Sequence, residues 1–505
     1  MTMPADKIVL FQELAVKVNN LKAAGRVVVQ SHGVFDLVHP GTVRHLTEAR
    51  AQGDALVVTV IKDKDVRRGP GRPIFDEKQR ALTVASLAMV DWVALVDDDV
   101  PFACVKALGP SIFARGKEHA ERDASVDRRI LEAEKHLRVV QTDGFSFSSS
   151  RIINTLLDVY PEETRTYLNT FAKKHSAADI TRHLEAARNQ KVLLIGDGII
   201  DEYYFCDTLG KSSKSQIIVH KYLAHEDYVG GVFAVANHLA GLCEKIDMIS
   251  VLGERDPREQ FVRDNLKEQV TPLFFSRADA PTITKRRYLN NNTRQKIFEI
   301  NHINDDAIPQ ELAACIEEHL VKVLPGYDLV MVTDFGHGLI TPAILGCLEH
   351  HAKRLAVNAQ TNGANTGFNF ITRYDNIMLA CVDAPEARLA TQLKHAPMDE
   401  VARVLSTKLA CDHLVITLGR EGAIATDRDG AMVRTPALAT KVVDTVGAGD
   451  ALFAYVAPGL AAGMPLDVVS FIGNAVGALA VGYMCNKKSI DPRDVSAFAQ
   501  AVLAQ

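Results

Sequence analysis

The run Asp444-Thr445-Val446-Gly447-Ala448-Gly449-Asp450-Ala451-Leu452-Phe453 sets three small residues before an apolar helical stretch and flanks them with carboxylates. Small residues at a helix start let backbone N–H groups approach a transferring phosphoryl oxygen, and the helix dipole favours its negative charge. The carboxylate that follows then lies beside the hydroxyl receiving the phosphoryl group. Asp450 is therefore read as a catalytic general base and Gly447, Ala448 and Gly449 as an anion hole. An Asp that opens a helix can equally be an ordinary N-cap, so the rest of the C-terminal half has to decide between the two.

That run resembles the D-T-x-G-A-G-D signature of the PfkB/ribokinase sugar kinases, and further pieces of the family pattern occur in order. Gly196-Asp197 followed by Asp201-Glu202-Tyr203 resembles the first strand with its sugar-binding Asp, and Gly230-Gly231 resembles the hinge of the substrate lid. Thr417-Leu418-Gly419-Arg420-Glu421-Gly422 resembles the nucleotide-side loop, and Gly473-Asn474-Ala475 the helix that lies along adenine. The resemblance implies a ribokinase-like α/β domain with a small β lid. It places Asp197, Asp201, Gly230, Gly231 and Asp450 on the sugar, and Thr417, Gly419, Gly422 and Asn474 on the nucleotide. Asp383-x-x-Glu386 stands where the family has N-x-x-E near the Mg²⁺-bound phosphates, which implies that Asp383 and Glu386 hold Mg²⁺ indirectly. Ala234 replaces the usual Asn after the hinge, Val357-Asn358-Ala359-Gln360 replaces Asp-Pro-Lys, and His337 replaces Lys in Asp334-Phe335-Gly336-His337-Gly338. The base and anion hole remain, so these departures point to changed specificity rather than lost activity.

Toward the N-terminus, Arg26 to Ser31, Val43 to Gly53 and Ala55 to Ile61 alternate β-rich, helical and β-rich patterns, as expected of a parallel β-α-β unit. The first strand leads into Ser31-His32-Gly33-Val34-Phe35-Asp36-Leu37-Val38-His39-Pro40-Gly41-Thr42. This run resembles the G-x-F-D-x-x-H-x-G-H signature of the cytidylyltransferase-like nucleotidyltransferases, whose two histidines grip the triphosphate from the first helical turn. By resemblance Gly33, Phe35, Asp36, His39 and Gly41 bind nucleotide, and His39 is catalytic. Thr42 takes the place of the second histidine on the same helical face; it can donate a hydrogen bond but carries no charge, and His45 one turn further on is a candidate for that charge. Arg67 to Pro73 with Arg80 resembles the family's basic loop and helix, and Arg115-Gly116-Lys117-Glu118-His119 its basic-Gly loop. Ser148-Ser149-Ser150-Arg151-Ile152-Ile153 resembles the motif that meets the triphosphate at a helix start. Taken alone, His39 could be a helix-capping or core histidine.

With 505 residues the chain exceeds the usual span of one core. The sequence divides into a Rossmann-like nucleotidyltransferase domain over residues 1–158, a charged helical connector over 159–189 and the kinase domain over 190–505. A formal net charge of −5 supplies no global drive toward nucleic acid or an anionic membrane, and no apolar run reaches the length of a membrane span. The eight cysteines carry no CxxC or metal-ligand spacing, which reads as reduced thiols in a cytoplasmic protein. The pairing of domains resembles the bifunctional heptose-7-phosphate kinase/heptose-1-phosphate adenylyltransferase family with the domain order reversed. It implies an ATP-dependent sugar kinase, with a heptose 7-phosphate among its candidate substrates, and a nucleotidyltransferase that joins ATP or CTP to a sugar 1-phosphate with release of pyrophosphate. Mg²⁺, sugar phosphate and nucleoside triphosphate are then the ligands, and a homodimer is expected. The alternative is that only one domain is catalytic and the other is a nucleotide-binding scaffold.

Overall fold

The computed structural model describes residues 3–66, 72–97, 102–116, 137–142, 160–363 and 365–503. They fall into two compact units, residues 1–159 and Tyr160 to Leu503.

In the first unit β1 (Val28–Gly33), β2 (Ala55–Ile61), β3 (Trp92–Val96), β4 (Ile112–Gly116) and β5 (Arg138–Thr142) pair in the order β3-β2-β1-β4-β5. Every pairing is parallel. β2 is buried along its whole length, which is why its sequence shows an apolar run broken only by Thr59 rather than alternation. The Pro40–Arg50 and Glu77–Ala85 helices set Leu46, Ala49, Ala81 and Val84 against Val29, Leu56, Val58 and Val93 of the sheet. Strand order reverses between β1 and β4, so the crevice at their carboxyl ends is a topological switch point, the usual ligand position in such sheets.

The second unit is built on nine strands: β6 (Val192–Gly196), β9 (Ile246–Gly253), β10 (Val270–Arg277), β13 (Leu329–Asp334), β14 (Leu355–Ala359), β15 (Leu379–Asp383), β16 (His413–Thr417), β17 (Ala423–Asp427) and β18 (Met432–Thr435). Their order is β10-β9-β6-β13-β14-β15-β16-β17-β18, parallel up to β16 and antiparallel in the last two pairings. The Ala448–Ala461 helix is buried from Asp450 to Ala461, and this explains a sequence apolar on every face. A second sheet, β12-β11-β7-β8, is the expected β lid. It consists of β7 (Gly198–Lys211), β8 (Ile218–Gly231), β11 (Thr284–Asn290) and β12 (Lys296–His302). β7 and β8 pair antiparallel from Gly198↔Gly231 to Lys211↔Ile218.

The segment expected to be a connector is corrected by the structure. Its two helices, Glu162–Ala172 and Ala177–Ala187, belong to the second unit. Leu168, Phe171, Ile180, Leu184 and Ala187 are buried in that unit's largest core, and Phe171 stacks on Phe471 with ring centroids 4.5 Å apart. The charges that suggested a linker line the outer face of an amphipathic pair.

Candidate active sites

In the second unit, Asp450 sits in the first turn of the Ala448–Ala461 helix, with Gly447 as N-cap at φ +85°. A Cβ on Gly447 would lie 2.0 Å from Asn486 Oδ1, whereas one on Gly449 would meet nothing within 4 Å. The helix start is thus tightly backed on one side and open on the other, as an anion hole requires. Asp450 is buried, and Gln360 Nε2, just past the end of β14, donates to its Oδ1 at 2.9 Å. Burial, seconded by the charge of Asp201, pushes the Asp450 carboxyl up to about 7, against the Gln360 hydrogen bond and the nearby Lys285 charge. A carboxylate poised near neutrality is suited to accept a proton from a hydroxyl.

Asp201 on β7 is buried and ion-paired with Arg287 of β11. Gly230 on β8 makes room for it, because a Cβ there would fall 2.1 Å from Asp201 Oδ2. Gly231 has φ +57° and its Cβ would lie 2.4 Å from the Asp197 carbonyl oxygen. The glycine pair therefore lets the lid strand close over both aspartates. Asp197 is buried between β6 and β7, and its Oδ2 accepts from the backbone N–H groups of Phe335 at 3.0 Å and His337 at 3.3 Å. Burial raises its carboxyl to about 6, with His337 opposing and Asp334 adding to the rise. His337, the residue in place of Lys, is buried with Nδ1 at 2.6 Å from Asp305 Oδ1. It lines a cavity of about 20 Å³ with Asp197 and Arg277, room for a single water.

Two polar residues of this site, Lys285 and Arg287, were not identified from the sequence. Lys285 is buried, its Nζ lies 5.6 Å from the Phe335 ring, and burial lowers its ammonium against the opposing pull of Asp201. Arg287 is the other, whereas Gln360 belongs to the run that departs from Asp-Pro-Lys. A signal for the pair existed: Lys285 and Arg287 are two apart on one strand and so share a face, with Lys285 in register with Asp201.

In the loop expected to meet the nucleotide, Thr417 ends β16, and Gly419 and Gly422 take φ +58° and +96° around a short 3-10 turn. A Cβ on Gly422 would lie 1.9 Å from the Thr435 carbonyl oxygen. Asn474 is buried in the Leu466–Ala480 helix and donates to the Ser470 carbonyl of its own helix at 2.9 Å. Asp383 and Glu386 form a capping box on the Ala384–Thr391 helix: Asp383 Oδ1 accepts from Glu386 N–H at 2.8 Å and Glu386 Oε2 from Asp383 N–H at 2.7 Å. Glu386 Oε1 accepts from Thr361 N–H at 2.8 Å, so Glu386 is committed to backbone while Asp383 is exposed and uses only Oδ1. Burial and the neighbouring Asp383 raise the Glu386 carboxyl.

In the first unit, Gly33 ends β1 and Arg115 and Gly116 end the adjacent β4, so all three meet the switch-point crevice. The Phe35 ring lies over Gly33, where a Cβ would come within 3.3 Å of it. His39 is the N-cap of the Pro40–Arg50 helix, its Nδ1 accepting from Gly41 N–H at 3.2 Å, and Thr42 follows in the first turn. Asp36 is buried and holds the following loop: it pairs with Arg72 Nε at 2.6 Å and accepts from the N–H groups of Ile74 at 2.7 Å and Phe75 at 3.1 Å.

One expectation is corrected. His45 does not supply the charge missing at Thr42, because it packs onto the sheet with Nε2 2.8 Å from Ser31 Oγ and Nδ1 2.6 Å from Thr142 Oγ1. Burial drives its imidazole down to about 4, which leaves it neutral near pH 7. Arg80, which stands with the basic loop in the sequence, is spent on the fold: fully buried, it donates to the carbonyls of Val34, Ile61 and Phe75 and pairs with Asp63. Residues 67–71, Lys117, Glu118 and His119, and Ser148, Ser149, Ser150, Arg151, Ile152 and Ile153 lie outside the described residues. Among the described residues no group of three or more His, Cys, Asp or Glu is arranged to hold a metal, and no helix is long and apolar enough to cross a membrane.

Comparison with known proteins agrees with both geometries. Residues 189–489 match the pfkB family carbohydrate kinase model and residues 31–166 the cytidylyltransferase-like model. The bifunctional protein HldE of Pelobacter propionicus is 26% identical over 298 residues, covering 58% of this chain and 60% of its own. The protein of that name from Azorhizobium caulinodans is 40% identical over 122 residues, covering 24% of this chain and 26% of its own. The chain thus spans about 60% of the length of the first of these curated relatives. Phosphofructokinase-2 from Escherichia coli, solved in complex with potassium, superposes with TM-score 0.52 at 16% identity over 63% of this chain and 100% of its own; at that identity the likeness establishes the fold.

Proposed function

The chain belongs to the pfkB family of carbohydrate kinases, and from that membership we propose that its second unit phosphorylates a sugar phosphate with ATP. We propose further that its first unit transfers a nucleotide from ATP or CTP to a sugar 1-phosphate, releasing pyrophosphate. The observation that carries the kinase reading is the buried Asp450 at an open helix start, with Asp201, Lys285 and Gln360 converging on it. In this reading Asp450 takes the proton of the attacking sugar hydroxyl. The N–H groups of Gly447, Ala448 and Gly449 hold the transferring phosphoryl group, and Asp197, Asp201, Gly230 and Gly231 shape the sugar cleft. Thr417, Gly419, Gly422 and Asn474 form the nucleotide side.

Mg²⁺ bound to the nucleotide phosphates would neutralise their charge. Asp383, exposed and with one oxygen outside its capping box, fits an indirect, water-mediated hold on it, and Glu386 fixes its orientation. A heptose 7-phosphate is the proposed sugar on the strength of the sequence resemblance. A homodimer is part of the same proposal, supported by exposed apolar side chains on both edge strands of the lid, Ile218 and Tyr222 of β8 and Phe298 and Ile300 of β12. All eight cysteines stand as thiols rather than in disulfides, which fits a reducing cytoplasm.

The test is to incubate the purified protein with a panel of sugar phosphates and ATP or CTP and to weigh the products. A sugar gaining one phosphoryl group and a sugar 1-phosphate gaining a nucleotide are expected. Nucleotide binding without turnover of any sugar would favour a scaffold.

For the first unit, Thr42→Ala should slow pyrophosphate release by about 0.5–1.5 kcal/mol, the net worth of one hydrogen bond. His39→Ala should be far more damaging, because the same imidazole caps the helix and is proposed to face the triphosphate. With His45 neutral and occupied, Thr42→His should accelerate the reaction. If no variant releases pyrophosphate, wild type included, the first unit binds nucleotide without catalysis.

A further inference from the structure

Asp444 opens the turn that leads to Gly447, and it is buried. Four donors converge on its carboxylate. Two come from nearby backbone: Val446 N–H reaches Oδ1 at 3.3 Å and Cys485 N–H reaches Oδ2 at 3.1 Å. The other two come from the lid. Lys296 Nζ, on the first residue of β12, lies 2.8 Å from Oδ1, and Tyr203 Oη, on β7, donates to Oδ2 at 2.8 Å.

Apolar packing reinforces the same junction. Tyr203, Phe205, Tyr228 and Leu289 of the lid sheet form a separate small core with Cys485, against which Val446 and Met484 pack. The turn is pressed from behind by Asn486, which leaves no space for a Cβ on Gly447. The anion-binding turn is therefore bonded through one carboxylate to a lid strand 148 residues away in sequence. Lys296 reaches the carboxylate from the edge strand of the lid on a long, part-exposed side chain outside the small lid core, so it can be replaced without removing the apolar packing of the junction.

We propose that Asp444 is a positioning residue that ties the anion-binding turn to the lid, so that the turn is held in its phosphoryl-binding conformation only while Lys296 and Tyr203 are seated on it. The proposal rests on the kinase reading above. Asp444 itself touches neither sugar nor nucleotide in this role; it transmits lid closure to the backbone N–H groups that follow it. A charged hydrogen bond is strong enough to matter here, since these are about twice as strong as neutral ones, and small displacements of an anion hole are costly to a reaction rate.

The experiment uses the full chain with Lys296→Met, which keeps the aliphatic stem and removes the charge, and Lys296→Arg, which restores it. Hydrogen exchange is read on the unliganded protein at residues 445–450, and kcat and KM for sugar phosphate and ATP are measured alongside. Lys296→Met should speed exchange in the turn and lower kcat by more than about tenfold, with both KM values changed by less than about threefold. Lys296→Arg should recover most of both effects. Unchanged exchange in the turn with Lys296→Met would overturn the tie, and faster exchange with kcat within about twofold of wild type would overturn its positioning role. A wild-type protein that phosphorylates no sugar would instead overturn the kinase reading, while the exchange result still decides whether the tie exists.

Discussion

Asp450→Asn is expected to abolish sugar phosphorylation while making the protein more stable above about pH 7. The substitution preserves shape and can still accept the Gln360 hydrogen bond, but it removes the proton acceptor, a loss of roughly 10²–10⁴ in kcat. The stability arm follows from the sign of the pKa shift. The folded-state carboxyl is raised from 3.8 to about 7 by burial, so the fold favours the protonated form. Its stabilising contribution is complete below 3.8 and is lost as pH rises through about 7. Wild type therefore bears the full cost of an ionised buried carboxylate above that pH, on the order of a few kcal/mol, and the Asn variant bears none. Melting curves should show the variant ahead above about pH 7, with the gap closing as pH falls toward 3.8. Wild-type kcat should rise through the same pH range as the base loses its proton. Kinase activity within about tenfold of wild type would exclude Asp450 as the base.

The parts of this site legible in the sequence are those carried by contiguous residues. A glycine N-cap, a carboxylate one turn on and the Gly230-Gly231 pair each need only local backbone conformation, and they stand at the start of the Ala448–Ala461 helix and at the end of β8. What escaped depends on chain segments far apart. Gln360 meets Asp450 across 90 residues and Arg287 meets Asp201 across 86, and no local pattern announces such a meeting. Buried polar side chains misled for a related reason. Arg80 and His45 stand at positions where a basic group would suit a triphosphate, yet Arg80 is consumed by carbonyls at the strand ends and His45 by two hydroxyls. Sequence shows the type of a side chain but not which of its hydrogen bonds the fold has already taken. The helices after residue 160 are a different case. Leu168 with Phe171, and Ile180 with Leu184 and Ala187, recur at helical spacing, so the amphipathic face is legible in the sequence, and the charges on its other side belong to a solvated helix face rather than to a linker.

That face leads to the second large expectation: a fragment beginning at Lys191 should fail to fold, while one beginning at Tyr160 should fold and keep the kinase activity. Removing residues 160–190 strips Leu168, Phe171, Ile180 and Leu184 from the core. At about 1.5–3 kcal/mol for each fully buried large side chain, the loss is roughly 6–12 kcal/mol, against a typical net stability of about 5–15 kcal/mol for a folded domain. Polar ties go with it. Tyr160 Oη donates to the Leu438 carbonyl at 3.0 Å, Tyr167 Oη lies 3.2 Å from Thr435 Oγ1, and His175 Nε2 lies 2.9 Å from Asp467 Oδ2. The partners left behind include Phe471, which would lose its stacking neighbour Phe171 and which shares the Leu466–Ala480 helix with Asn474, the residue proposed for the nucleotide side. Damage should therefore reach ATP binding even if part of the sheet survives. Circular dichroism melts and a kinase assay on the two fragments separate the outcomes. A cooperative transition at the same temperature in both would show that the two helices contribute nothing to the core. A stable but inactive fragment from Lys191 would instead place their main effect on the nucleotide side.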